Sequence, residues 1–160
     1  MAQYDVALIC LNGHVINRFA RSLPEHNTKF CSECGEPTIS QCPKCKADIR
    51  GEYGERGIGV LGYEFSYPRY CHNCGAPFPW TERHTEQLRS FIEELEELSD
   101  EEKDKLGKSI PDIIAETPGT ARASLRFKKA IAKIGKESGK LLIEILEKVA
   151  SEHVKQQLGL

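Results

Sequence analysis

Seven cysteines and one histidine stand in four short pairs: Cys10-x3-His14, Cys31-x2-Cys34, Cys42-x2-Cys45 and Cys71-x2-Cys74. Thiolate and imidazole bind transition metals, and two of them on one tight turn can reach a single ion. Eight donors make two sets of four, the coordination number of a closed tetrahedral zinc site. A disulfide framework would strand one of the seven cysteines and leave the repeated CxxC spacing unexplained. The residues therefore predict two structural Zn2+ ions, with all eight side chains as ligands.

Gly35 and Gly75 directly follow their CxxC pairs, where a residue without Cβ lets backbone amides approach the sulfurs. Asn12-Gly13 supplies the turn inside the first pair, and Lys46 departs from the pattern after the third. Two groupings are open. The sequential one joins Cys10, His14, Cys31 and Cys34 in one site and Cys42, Cys45, Cys71 and Cys74 in the other. The cross-brace alternative joins the first pair with the third and the second with the fourth. Seven residues between the middle pairs, longer than cross-braced domains use, favour the sequential arrangement. His26, His72, His84 and His153 have no ligand spacing, and His26 is the nearest substitute for His14.

The stretches YDVALICLNGHVIN, FCSECGEPTISQCPKCKADIRGEYG and YCHNCGAPFPWTE resemble an uncharacterised bacterial family of double zinc-ribbon proteins with a C-terminal helical tail. The resemblance extends to TPGTARASLRFKKAIAKIGK and ASEHVKQQLG. It implies the same eight ligands and brings no activity with it.

Four protein ligands leave no coordination position for water or substrate, so such sites are structural. The all-cysteine set also resembles the iron site of rubredoxin-like electron carriers, a rival that colour would reveal. With every cysteine assigned to metal, neither a Cys/His nor a Ser/His/Asp nor a paired-carboxylate arrangement is evident, and an enzyme is the third-ranked reading. Gly57-Ile-Gly59-Val-Leu-Gly62 matches GxGxxG but does not lie between a strand and a helix. It reads as a hairpin or linker and not as a nucleotide loop.

Ten of the twelve aromatic residues and all the cysteines precede Thr81, and the remainder is rich in helix formers. The expected architecture is a small α+β protein: two zinc ribbons of short β-hairpins over 1–80, then an amphipathic helical domain over 81–160. The expected strands are Val6 to Ile9, Val15 to Phe19 and Gly62 to Tyr67. Tyr63, Phe65 and Tyr67 would share one face of the last, joined by Tyr70, Phe78 and Trp80. These aromatics are expected to dock the first helix through Leu88, Phe91, Ile92 and Leu95, with base stacking as the alternative.

Thr81 is expected to cap a helix to Leu98, and Ser99 with Glu102 forms a capping box for a second one ending near Gly107. Pro111 would start a third piece, and Thr117-Pro118-Gly119 breaks the chain again. From Thr120 an apolar stripe through Ala123, Phe127, Ile131, Ile134, Ser138, Leu141, Ile145 and Val149 predicts one long helix, bent at Gly135 or Gly139. Its continuity suggests association with the first helix or with a second copy of the chain.

The net charge of -2 hides an asymmetry. Residues 82–104 carry ten acids against three bases, whereas 121–140 carry seven bases against Glu137 alone. Arg122, Arg126, Lys129, Lys133, Lys136 and Lys140 recur every three or four residues and would line one helix face. Pairing with acids of the chain or of a protein partner is the first reading of this stripe, and nucleic-acid contact the second. The first ten residues lack a basic n-region, and no apolar run nears the ~18 residues of a membrane helix. A cytoplasmic, reducing location follows as the expectation. The leading functional expectation is a non-enzymatic adaptor engaging another protein.

Overall fold

The computed structural model describes residues 3–55, 58–60, 62 and 65–160. The chain is a small α+β protein that divides into two compact units, 1–82 and 83–160. The first holds two antiparallel three-stranded sheets, ordered β1-β5-β6 and β3-β2-β4. Their strands are β1 (Gln3–Val6), β2 (Leu8–Cys10), β3 (Val15–Asn17), β4 (Thr38–Ile39), β5 (Arg50–Glu55) and β6 (Ile58–Gly59).

The expected strand from Val6 to Ile9 is divided at Ala7 between the two sheets. Ala7 is fully buried, and its amide donates to the Ile49 carbonyl at 2.8 Å. No strand occupies Phe65–Pro68, and Tyr63 and Gly57 lie outside the described residues. Instead Phe65 and Tyr67 pack against a core of Ala7, Ile9, Ile49, Phe78 and Trp80. Phe78 stacks on Trp80 at 4.7 Å, and Tyr67 meets Trp80 edge-on at 6.2 Å. These four aromatics thus serve as the core of a unit with few aliphatic side chains, whereas Tyr70 is exposed.

Helix α1 (Pro79–Glu94) begins two residues before the expected Thr81 cap. Proline has the right φ for a first helical turn and needs no acceptor there. Thr81 is inside the helix, its hydroxyl donating to the Arg69 carbonyl at 2.7 Å, and Trp80 Nε1 donates to the Pro68 carbonyl at 2.9 Å. The helix ends four residues short of Leu98.

The second unit holds α2 (Asp100–Ile114), α3 (Thr120–Lys133), α4 (Lys136–Val149) and α5 (Glu152–Leu158). The Ser99/Glu102 capping box is present. Neither Gly107 nor Pro111 interrupts α2, contrary to expectation. Continuing the helix buries Leu106, Ile110, Ile113 and Ile114, each worth roughly 1.5 to 3 kcal/mol, which offsets the hydrogen bond that Pro111 removes. The break at Thr117-Pro118-Gly119 is present, locked by Thr120 Oγ1 donating to the Asp112 carbonyl at 3.0 Å.

The single long helix does not form. Ile134 and Gly135 take extended ψ values of 155° and 158°, ending α3 and starting α4 on a new axis. Gly135 has no capping side chain of its own. Glu97 supplies one, accepting from the Gly135 amide and the Ser138 hydroxyl, each at 3.3 Å. The expected stripe is only partly the buried face: Ala123, Phe127, Ile134 and Val149 are buried in one core with Leu142, Leu146 and Val154, whereas Ile131 and Ile145 are partly buried and Leu141 is exposed. Leu88 and Ile92 of α1 and Leu95 just after it belong to this core, while Phe78 and Trp80 belong to that of the first unit.

Candidate metal centres

Three CxxC turns are built alike. In each, the first cysteine's amide donates to the carbonyl five residues on, and the amide four residues on donates back to that cysteine's carbonyl. The pairs are Cys31 with Glu36 and Gly35, Cys42 with Ala47 and Lys46, and Cys71 with Ala76 and Gly75, all at 2.8 or 2.9 Å. Bridges Phe30↔Pro37, Gln41↔Asp48 and Tyr70↔Pro77 close each turn at the same register. The geometry needs a positive φ just after the second cysteine: 73° at Gly35, 71° at Gly75 and 62° at Lys46. The missing glycine at position 46 is therefore replaced by a lysine held in the left-handed region.

The fourth turn differs. Cys10 ends β2, and the Asn12-Gly13 turn, with Gly13 at φ 90°, returns the chain so that the His14 amide donates to Cys10 Sγ at 3.3 Å. Pairing of Cys10 with Thr38 brings the Cys31/Cys34 turn alongside.

The eight residues fall into two groups in chain order, Cys10/His14/Cys31/Cys34 and Cys42/Cys45/Cys71/Cys74, with all ligand atoms of a group within 4.8 Å of one another. In the first, His14 Nδ1 is 3.5 Å from both Cys10 and Cys31 Sγ, and Cys10 Sγ is 3.7 Å from Cys34 Sγ. In the second, Cys42–Cys74 and Cys45–Cys71 are 3.8 and 3.6 Å apart. A tetrahedron with ~2.3 Å metal–sulfur bonds has edges of about 3.8 Å, so the groups fit a four-coordinate metal and are far from the ~2.05 Å of a disulfide. His14, not His26, completes the first group; His26 lies in a short 3-10 turn, Pro24–His26.

The surroundings favour thiolate at Cys34 and Cys45, whereas burial pushes the Cys10 thiol up and Cys74 is pushed up to about 11. The Glu36 amide holds Cys34 down to about 6, and the Asn73 side chain does the same for Cys45, its Nδ2 lying 3.5 Å from the sulfur. Asn73 reaches from the fourth pair's turn to a ligand on the third, a cross-turn bond that the motif spacing does not encode. A divalent ion would leave the first group at about -1 and the second at about -2. Lys44 and Lys46 flank Cys45 of the more negative set, whereas Glu33 and Glu36 flank Cys34 of the other.

The basic residues are distributed otherwise than one helix face would have them. Arg122, Arg126, Lys129 and Lys133 are on α3, and Lys136 and Lys140 are on α4 beyond the Ile134–Gly135 break. Lys133 Nζ is 2.6 Å from Glu102 Oε2, and Arg126 Nη1 donates to Ser109 Oγ at 2.8 Å. The remaining motif, at positions 57–62, contributes Gly59 to the hairpin of β5 and β6.

Among the described residues, two sheets, five α-helices and two four-donor clusters that could each hold a metal ion define a small α+β protein. The chain belongs to the family described as "Uncharacterized protein conserved in bacteria (DUF2321)", which it matches over residues 3–158. No curated protein and no solved structure matches it. Among the described residues no helix is long and apolar enough to cross a membrane.

Proposed function

We propose that the chain is a non-enzymatic adaptor of the cytoplasm, in which two structural Zn2+ ions organise residues 1–80 as a double zinc ribbon and residues 81–160 form a helical domain that engages another protein. The observation that carries this reading is the closed ligand count. Each group offers four donors at tetrahedral spacing, which leaves an ion no position for substrate. Histidine in the first group favours zinc over a rubredoxin-like iron at that site. Protein contact is preferred to nucleic acid because the basic residues lie on two helices and Lys133 is engaged by Glu102.

Elemental analysis of the purified protein should give two zinc equivalents in a colourless solution, and strong chelation should abolish near-UV signals of the first unit. Affinity purification should recover a protein partner whether or not nuclease is added. Recovery only without nuclease would reverse the choice of partner. So would duplex binding with a logarithmic salt slope near the value of about -5 expected for six phosphate contacts.

A further inference from the structure

We infer that a pocket between α2 and α3 docks a short acidic segment of a partner protein, with an aliphatic side chain in the cavity and a neighbouring carboxylate on Arg126 and Lys129. The inference deepens the protein-binding reading above and rests on it. The cavity measures about 210 Å³. Buried Leu98, Leu106 and Ala130 give it an apolar floor, and Lys105, Arg126, Lys129 and Lys133, against Glu102 alone, make its wall net basic.

Two of these four cations are already neutralised. Lys105 pairs with Glu101 at 2.5 Å and Lys133 with Glu102 at 2.6 Å. Among the described residues Arg126 is held only by a neutral group, the hydroxyl of buried Ser109, which itself donates to the Lys105 carbonyl at 2.8 Å. That relay fixes one arm of the guanidinium and leaves the others for a carboxylate, which such a fork binds with two parallel bonds. Lys129, one helical turn further on, has no ion-pair partner among the described residues. The pocket thus offers two uncompensated positive charges beside an apolar floor.

Size and lining select the occupant. Cofactors and metabolites take cavities of roughly 300 to 1,000 Å³, so this one suits a single side chain of a longer ligand. No aromatic ring lines it, so it offers no stacking surface for a base. A peptide carrying Leu, Ile, Val or Met next to Asp or Glu satisfies both floor and wall.

The probe is a phage-displayed library of random heptapeptides panned against the full-length, zinc-loaded protein. Enriched peptides should pair an acid with an aliphatic residue. Fluorescent copies should bind at least about tenfold more weakly to Lys129→Glu and to Arg126→Gln, and more weakly as salt rises. Lys129 is exposed, so its variant keeps the fold; circular dichroism checks this. Enrichment of peptides without acids, no enrichment over an unrelated zinc protein, or unchanged binding to Lys129→Glu would overturn the inference. If Lys129→Glu still captures the native partner as the unaltered chain does, the pocket assignment falls while the adaptor reading stands; if neither chain captures a protein, the adaptor reading falls.

Discussion

Lys133, the last residue of α3, places its ammonium 2.6 and 2.7 Å from the two carboxylate oxygens of Glu102, while Glu102 also accepts the Ser99 amide at 2.8 Å to close the capping box of α2. One carboxylate therefore fixes the start of one helix and the end of another.

The Lys133 ammonium, and after it the Ser99 amide, holds the Glu102 carboxyl at about 2, below its ordinary 4.5. A depressed carboxyl contributes stability that is fully present above the unfolded pKa and is lost as pH falls through the folded one. The helical unit should therefore weaken as pH falls from about 4.5 to about 2, and Glu102→Gln should flatten that part of the profile. Urea unfolding followed by far-UV circular dichroism across this range measures it. Metal release in the same range affects both proteins alike and drops out of their difference. Identical slopes would show that the pair does not couple to folding.

Lys46 offers a test of backbone strain. A left-handed conformation costs a residue with a Cβ roughly 1 to 2 kcal/mol, and Gly35 and Gly75 avoid that cost at the equivalent positions. Lys46→Gly should stabilise the metal-loaded protein by about 1 kcal/mol, less whatever its charge contributes beside the four-cysteine group. Gly75→Ala should do the reverse. A Cβ there meets nothing within 4 Å, so its cost is conformational alone. Denaturant midpoints that shift together, and not in opposite directions, would reject this account.

The two metal groups share no ligand, so they should fail separately. Cys34→Ser and Cys74→Ser should each reduce bound zinc from two equivalents to one, as counted by elemental analysis. Asn73→Ala should spare the count but weaken the four-cysteine site, by the roughly 10- to 100-fold typical of a lost ligand partner. Competition with a chromophoric chelator resolves the two sites. Loss of both ions from either serine variant would mean that the clusters fold as one unit.

Six of the eight candidate donors could be read from the sequence because a CxxC turn is a local structure, and in two of the three turns a glycine reports the positive φ that the turn requires. The Ser99/Glu102 capping box was legible for the same reason. The failures are non-local. Arg50–Glu55, with two glycines and one strand-forming Tyr53, has no strand propensity worth the name and becomes β5 by pairing with β1. The α3/α4 break depends on Glu97, which is distant in sequence from the amide it caps. Pro111 was read as a helix start, but burial of the side chains around it outweighs the lost bond. Asn73 and Ser109 gain significance only from neighbours that folding brings to them.

The folded stripe of the C-terminal helices yields the last prediction. Leu141 and Leu146 lie on the same helix, α4, yet Leu146 is fully buried and Leu141 is 51% exposed. Replacement of either by Ala changes intrinsic helix propensity equally, so the difference between the two variants isolates burial. Leu146→Ala removes a large side chain from the core and should cost about 2 to 5 kcal/mol, depending on how far the site collapses. Leu141→Ala should stay within about 0.5 kcal/mol, as for most surface changes. Urea unfolding at two protein concentrations gives both values. Equal costs would mean that α4 does not turn Leu146 inward as described. A Leu141→Ala cost that grows with protein concentration would instead place Leu141 between two copies of the chain, the association that the uninterrupted stripe suggested in the sequence.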